Sequence, residues 1–286
     1  MSTESGIGRD LTYCATEVRQ YDPDRFATAM MAPQVSREGL FSLYAFNLEV
    51  AKTREAVSEP MLGEIRLQWW REAIEGIYEG SPRRHEVVLP LAKLVTELAL
   101  TREHFDVLID VRARDLSEDA PESLDALLEY AEGTSATLIW LALEALGIRS
   151  NAASEAARHV GIAWALTGLV RAMPFHLSQR RLYLPEELIG RHGIQRRNLM
   201  ELRPEPAIAS AVEEIAALAR EHLEKARALK GEIPQAAIPA LLLAPLADLH
   251  LRRLAKVHYD PFDARLTQPS RFVGIRLAMK MMTGRY

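Results

Sequence analysis

The chain has 286 residues, of which 48% are hydrophobic and 26% are charged, and its formal net charge is -4 at pH 7. This composition excludes an intrinsically disordered chain and a collagen-like one. The near balance of acidic and basic residues is unlike that of a dedicated nucleic-acid-binding protein, so we expect no nucleic-acid partner. A single cysteine, Cys14, excludes an internal disulfide and a cysteine-based zinc site, and it favours a reducing compartment such as the cytoplasm.

Neither an export signal nor a membrane-spanning segment is predicted. The residues 1–10 are polar and lack the apolar stretch of a signal peptide. The longest uncharged apolar window, 233–247, is too short to span a bilayer and contains three prolines. We therefore expect a protein that is soluble or at most lies on a membrane surface.

Apolar residues recur at spacings of three and four along nearly the whole chain, which predicts helices and leaves no alternating strand pattern. Pro60 is predicted to end the first long helix, and Pro121 to begin a later one that closes at Gly147. A loop is expected over 174–183. These patterns predict a single all-α domain. In chain order, the predicted helices cover 40–57, 65–78, 91–100, 105–111, 121–146, 151–171, 185–192, 208–229 and 239–257.

The C-terminal segment 264–286 differs in charge from the rest of the chain, because it holds five basic residues and no acidic ones. Apolar residues lie among the basic ones, as in a basic amphipathic helix that rests on anionic lipid; a helix docked on the protein with solvated charges is the alternative. We therefore divide the chain into an N-terminal segment 1–20, a helical domain 21–263 and a basic amphipathic helix 264–286. The basic residues of this helix are Arg265, Arg271, Arg276, Lys280 and Arg285.

Three short motifs carry a family resemblance. They are YAFN at 44–47, WWR at 69–71 and LVRAMPFHLSQRRLYLP at 169–185. Together they resemble the squalene/phytoene synthase superfamily, over about 21–254 of the chain. The resemblance implies an all-α bundle of the trans-isoprenyl diphosphate synthase type with a central cavity. It also implies enzymes that join two prenyl diphosphates with the help of magnesium ions.

The two Asp-x-x-x-Asp motifs that bind magnesium in this superfamily are degenerate here. The first would begin at Ala51 and close at Glu55, with Lys52 beside it. The second would begin at Ala172 and close at His176. An alanine cannot ligate a hard cation, and one glutamate cannot hold a magnesium cluster against dehydration. We therefore expect no catalytic residue, no metal and no cofactor at these positions.

A displaced metal site is a weaker alternative. Glu55 and Glu59 are four residues apart, which places both carboxylates on one face if the helix continues through them. The second helix would have to supply further acids, and 166–179 contains none. A solvated or ion-paired acidic surface is therefore the favoured interpretation of these glutamates.

Other residues of the superfamily pattern are kept. The resemblance implies that they line a ligand pocket of the diphosphate-binding kind. Arginine side chains in such a pocket would bind phosphate oxygens through paired hydrogen bonds. The implied pocket residues are Tyr44, Phe46, Arg171, Arg181 and Tyr183.

The runs 46–51, 57–60 and 66–71 resemble a degenerate branch of the superfamily that includes the mitochondrial complex I assembly factor of squalene/phytoene synthase type. The resemblance implies a role in assembling a membrane respiratory complex, with its subunits or assembly proteins as partners, or in holding a prenyl lipid. It implies a cytoplasmic protein, peripheral at the inner membrane, or a mitochondrial matrix protein in a eukaryote. The alternative is an active magnesium-dependent head-to-head prenyltransferase that condenses two prenyl diphosphates.

Overall fold

The computed structural model of the protein describes residues 11–57, 59–268 and 273–286. These ranges contain helices and turns and no strand, so the all-α prediction is confirmed. The first eight helices are α1 (Tyr13–Tyr21), α2 (Pro23–Met30), α3 (Gln34–Ala51), α4 (Pro60–Tyr78), α5 (Val88–Leu98), α6 (Arg102–Arg112), α7 (Leu124–Ala131) and α8 (Thr137–Ala145).

Eight further helices follow in the described part of the chain, and several are short. The predicted helices at 151–171 and 185–192 are confirmed by α9 (Asn151–Arg171) and α11 (Glu186–His192). The remaining helices are α9 (Asn151–Arg171), α10 (Met173–Ser178), α11 (Glu186–His192), α12 (Arg196–Met200), α13 (Pro206–Ala228), α14 (Ile238–Leu241), α15 (Leu243–Lys256) and α16 (Val273–Thr283).

Helix α9 lies at the centre of the bundle and packs against α13, α15, α8 and the π-helical segment Glu132–Ala136 between α7 and α8. Small residues make this packing close. A Cβ atom at Gly161 would lie 2.3 Å from the Cα atom and 2.5 Å from the backbone nitrogen of Ala136. Because the obstructing atoms belong to the backbone, α9 approaches the π-helical segment this closely only with glycine at this position.

Helix α3 ends at Ala51, so the prediction that this helix continues to Val57 is wrong. Beyond Val50 the chain no longer offers an apolar face to the core, and Glu55 and Ala56 are exposed. A turn over 52–56 replaces the helix. Glu55 and Glu59 therefore do not share a helical face, which removes the geometry that the displaced metal site required.

Two other predicted boundaries are also wrong. Helix α7 begins at Leu124 and not at Pro121, because the Ser123 side chain accepts a hydrogen bond from the Ala126 N–H and caps the helix there. The predicted loop over 174–183 contains the short helix α10. The predicted end at Gly147 is confirmed, since this glycine has φ +73° just beyond α8.

Candidate functional site: a buried polar cluster

A cluster of polar side chains lies inside the bundle beside His176, the closing position of the second degenerate motif. The Asp115 carboxylate is its centre and is 4% exposed. Arg112, at the end of α6, and Asp115, in the turn that follows, come from one segment. Tyr130 comes from α7. Arg181 and Tyr183 come from the loop after α10.

Both oxygens of the Asp115 carboxylate are occupied by donors from the cluster. Oδ1 accepts hydrogen bonds from the hydroxyls of Tyr183 (2.6 Å) and Tyr130 (2.7 Å). Oδ2 lies 3.1 Å from Nη1 of Arg112 and 3.4 Å from Nη2 of Arg181. Arg112 also donates to the Tyr130 hydroxyl, and Arg181 donates to the Tyr183 hydroxyl. These bonds join three segments of the chain at one buried point.

The turn after α10 directs Arg181 into the cluster. Arg180 has φ +55°, in the left-handed region, and the Arg181 N–H donates to the His176 carbonyl (2.9 Å). This reversal brings the Tyr183 ring to 4.8 Å from the His176 ring, measured between centroids. A left-handed residue other than glycine costs about 1–2 kcal/mol, so the buried ion pair and hydrogen bonds of the cluster must offset that cost.

The cluster carries more positive than negative charge. Burial raises the pKa of Tyr183 to about 12, and it raises that of Tyr130 as well, so both phenols are neutral donors at pH 7. Burial, together with the nearby Arg181, lowers the pKa of His176 to about 4, so the imidazole is neutral too. Two guanidiniums therefore share the Asp115 carboxylate.

The cavity beside the cluster is small. Its volume is about 10 Å³, and its wall includes His176, Arg181 and Tyr183 together with Leu127 and Met173. A buried site needs roughly 10–15 Å³ to hold one water molecule. At this position the interior therefore has room for about one water and none for a prenyl chain.

Magnesium, which the fold family implies, does not fit the residues of this site. Magnesium requires near-octahedral oxygen ligation, but three hydrogen-bond donors already occupy the oxygens of Asp115, and the guanidinium of Arg181 lies where a cation would be repelled. Within 11–57, 59–268 and 273–286, no three His, Cys, Asp or Glu side chains converge so that they could hold a metal. We assign no metal-dependent step to this site.

The residues of the first degenerate motif lie away from the cluster. The Lys52 ammonium lies 3.2 Å from the Tyr21 ring centroid and 3.8 Å from the Glu17 carboxylate, so α1 holds it. Ala51 is the last residue of α3, and Glu55 is exposed in the following turn.

The implied pocket residues separate into four places in the structure. Arg181 and Tyr183 belong to the cluster. Arg171, one residue before Ala172, hydrogen-bonds His250 and lies 3.8 Å from the Asp24 carboxylate. The Tyr44 ring lies beside α2, and burial raises the pKa of its hydroxyl to about 12. Phe46 is a core residue that packs edge-on against Trp70 and Phe105.

Sequence reasoning missed Asp115 and Arg112, because neither lies in a motif of the superfamily pattern. The segment RARD at 112–115 holds two arginines and an acid at the end of an apolar helix, but spacing alone does not distinguish it from an exposed charged turn. Burial of Asp115 is a consequence of the packing of α6 against α4 and the π-helical segment.

A second buried polar pair lies at the interface of α9 and α13. The Nδ1 atoms of His159 and His222 are 3.0 Å apart, so one ring donates this hydrogen bond and the other accepts it. Burial lowers the pKa of both histidines, and that of His222 falls to about 4. The two imidazoles thus contribute to the stability of the folded state in their neutral form.

We expect the protein to lose stability as the pH falls from 6.5 to 4. In this window the unfolded chain protonates His222, His159 and His176 near the ordinary histidine pKa, whereas the folded chain excludes those protons, so their contribution is complete above pH 6.5 and declines below it. Urea midpoints at pH 7 and pH 4.5 measure the loss. A His222→Gln variant should show a shallower pH dependence, and an unchanged slope would contradict this account.

The comparisons with known proteins agree with the motifs. Residues 18–273 match the squalene/phytoene synthase family. Complex I assembly factor 6 from Bos taurus is 31% identical over 284 residues, which cover 99% of this chain and 85% of the relative. A presqualene diphosphate synthase from Rhodopseudomonas palustris is 24% identical over 216 residues, which cover 75% of this chain and 77% of the relative.

A solved structure supports the same fold. The crystal structure of a dehydrosqualene synthase in complex with a ligand superposes with a TM-score of 0.83 at 19% identity, covering 95% of this chain and 94% of the synthase. Its low identity limits that likeness to the fold. The family match and the more similar relatives together place this chain in the squalene/phytoene synthase family, in the branch that contains complex I assembly factor 6.

Proposed function

We propose that this protein acts in the assembly of a membrane respiratory complex of the complex I type, and that it does not transfer prenyl groups. The observation that carries the proposal is the buried carboxylate of Asp115, which already pairs with both Arg112 and Arg181. A diphosphate that bound Arg181 would compete with that carboxylate, and the described residues bring together no three His, Cys, Asp or Glu side chains that could hold a compensating metal. The name of the Bos taurus relative, complex I assembly factor 6, supports the assembly role.

Energetic arguments oppose the prenyltransferase alternative. Metal assistance contributes several kcal/mol to stabilising the transition state of such an ionisation, and each 1.36 kcal/mol changes the rate about tenfold. The site offers one carboxylate, and that carboxylate is engaged by arginines. We propose that the protein works without metal or other cofactor, and the small cavity gives no reason to assign it a prenyl lipid at the cluster.

Helix α16 is the part of the described chain that we propose contacts the inner membrane, on its cytoplasmic or matrix side. Ile275, Met279 and Met282 are exposed and follow one another at spacings of four and three, so they form one outward stripe, while Leu277 is buried on the opposite side. Arg276 and Lys280 border the stripe. Arg271 lies outside the described residues. A basic helix with an outward apolar stripe suits an anionic lipid surface.

None of the helices in the described ranges is both long and apolar enough to cross a membrane. Within the described part of the chain, contact with the membrane through α16 would therefore be peripheral. Substituting Ile275→Glu and Met279→Glu should move the protein from the membrane pellet to the supernatant of fractionated cells. Unchanged sedimentation would contradict this part of the proposal.

Deleting the gene in its organism of origin tests the proposed function. We expect loss of assembled complex I on native gels and of NADH oxidation by membranes, with both restored by the full-length protein. Normal complex I after deletion would contradict the assembly role. The purified protein, given farnesyl or geranylgeranyl diphosphate and magnesium, should release no prenyl product. Turnover of about 1 per second or more would instead establish a working prenyltransferase.

A further inference from the structure

The outer side of α4 carries a group of exposed apolar side chains. Met61, Leu62 and Ile65 are 68%, 47% and 60% exposed to solvent in the described structure. Together with the half-buried Trp69 they follow a spacing of one, three and four residues, so they share one side of the helix. We call these four residues the α4 face. Exposed apolar residues grouped on one helix side in this way mark interaction sites more often than single exposed ones do.

The α4 face borders two open grooves. One has a volume of about 400 Å³ and is lined by Val57, Leu62, Ile65 and Trp69 together with polar groups of Arg66 and His85. The other, of about 420 Å³, lies on the opposite side of Ile65 and Trp69. A surface with two grooves flanking a central ridge has the shape that receives the side chains of an amphipathic helix.

The scaffold beneath the α4 face is rigid. A Cβ atom at Gly63 would lie 2.3 Å from Cδ2 of Leu116, so glycine allows α4 to lie directly on the turn after α6. The Trp69 ring packs edge-on against Trp70, with centroids 4.9 Å apart, and Trp70 packs edge-on against Phe46 in the core. A preorganised surface loses little conformational entropy when it binds.

The charges around the α4 face are predominantly negative. Two of the nearby arginines are already paired: Arg66 with Glu49 at 2.5 Å and Arg71 with Asp110 at 2.9 Å. Three more carboxylates are exposed there and form no ion pair with the described residues, whereas Arg54 turns toward the carbonyl of Val57. These three carboxylates belong to Glu55, Glu59 and Glu64.

An acidic rim around an apolar face excludes one kind of partner and favours another. Anionic lipid would be repelled by the three carboxylates. A segment with apolar and basic side chains would be attracted. Loops of membrane proteins on the cytoplasmic side carry an excess of Lys and Arg next to their apolar spans. Such segments are what a factor that helps assemble a membrane complex would meet on that side.

We propose that the α4 face binds a basic, apolar segment of a membrane subunit during assembly of the complex. This inference rests on the proposed function and names the partner chemistry for it. The apolar side chains of the segment occupy the two grooves. Its Lys and Arg side chains pair with the carboxylates of Glu55, Glu59 and Glu64. Membrane contact through α16 and protein contact through α4 then use surfaces of opposite charge.

Two measurements on the full-length protein test the proposal. The first is binding of a synthetic amphipathic peptide of Leu and Lys, followed by fluorescence anisotropy, against a matched peptide with Glu in place of Lys. The second is restoration of complex I in the deletion strain. The test variant is Leu62→Ser with Ile65→Ser, which removes apolar contact without adding charge. Its matched control is Val35→Ser, which changes another exposed apolar residue on the surface of α3.

We expect the double variant to keep the urea midpoint of the parent protein, to bind the Lys peptide about tenfold more weakly or worse, and to fail to restore complex I. The control variant should behave as the parent protein in both measurements. Equal binding of the Lys and Glu peptides would overturn the charge argument. Restoration of complex I by the double variant, in a strain whose deletion abolishes it, would overturn the α4 inference and leave the proposed function standing.

Other occupants of the α4 face give distinct results, each of which overturns the proposal. A dimer that dissociates in the double variant would assign the face to a second copy of this chain. If the parent protein floated with anionic vesicles and the double variant did not, the α4 face would be assigned to lipid. If removing residues 1–10 raised the affinity for the peptide, the α4 face would be assigned to that segment. A deletion strain with normal complex I would instead refute the proposed function itself.

Discussion

Replacing Asp115 by alanine is expected to destabilise the folded protein by about 3–5 kcal/mol, because the substitution leaves Arg112 and Arg181 buried without their shared carboxylate. The hydroxyls of Tyr130 and Tyr183 would also lose their acceptor. Urea unfolding followed by circular dichroism measures the change. If the alanine variant fails to fold, Asp115→Asn retains the shape and one carbonyl oxygen that can accept from both tyrosine hydroxyls, and it should lose less stability.

The matched control for the Asp115→Ala substitution is a variant in which all three charged side chains of the cluster are replaced together. In a triple variant Arg112→Met, Asp115→Leu and Arg181→Met, no charge is left unpaired, so we expect it to regain at least part of the stability that Asp115→Ala loses. A triple variant that is less stable than the alanine variant would contradict this explanation. It would show that shape, and not charge compensation, governs the cluster.

Replacing Gly161 by alanine is expected to cost about 1–3 kcal/mol of stability, or more, because the new methyl group would meet the backbone of Ala136 and α9 would have to move away from the π-helical segment. Gly168, on the same helix, is the control, since a Cβ atom there meets nothing within 4 Å. Gly168→Ala should leave stability unchanged or raise it by up to about 1 kcal/mol, as expected for alanine in a helix. Equal effects of the two substitutions would show that the close approach is not the cause.

The close approach at Gly161 also bears on the polar cluster. Tyr130, which donates to Asp115, lies just before the π-helical segment that α9 contacts. Because that segment and α9 are held together at van der Waals distance, the Tyr130 hydroxyl keeps a defined position. The fold thus supports a polar site whose geometry does not suit magnesium binding.

Much of the helical architecture follows from local patterns in the sequence. The apolar spacing and the Ala-rich composition of 151–171 predict α9, whose observed bounds agree. Gly147 adopts a positive φ just beyond α8, as its position in the sequence predicts. These features depend on residues within a few positions of one another, so they can be derived without knowing the rest of the fold.

Local reasoning failed where a distant contact or a competing cap decided the outcome. Pro121 is a suitable first residue for a helix, but its carbonyl accepts the N–H of Glu186, and Ser123 caps α7 two residues later. The apolar pattern toward Val57 reads as a continuing helix, but beyond Val50 the side chains have no core to face. At the start of α7, two local signals of similar strength compete, the proline and the serine cap. At the end of α3, the tertiary packing decides where the helix stops.

The sequence alone determined that the magnesium motifs are degenerate, because Ala51 and Ala172 carry no ligand atom in any fold. It did not determine what replaces them. The carboxylate that engages Arg181 comes from Asp115, far away along the chain, and becomes a partner only when α6, α7 and the turn after α10 pack together. The functional group at a position is known from the residue itself, whereas its burial and its charge pairing depend on the side chains that the fold brings near.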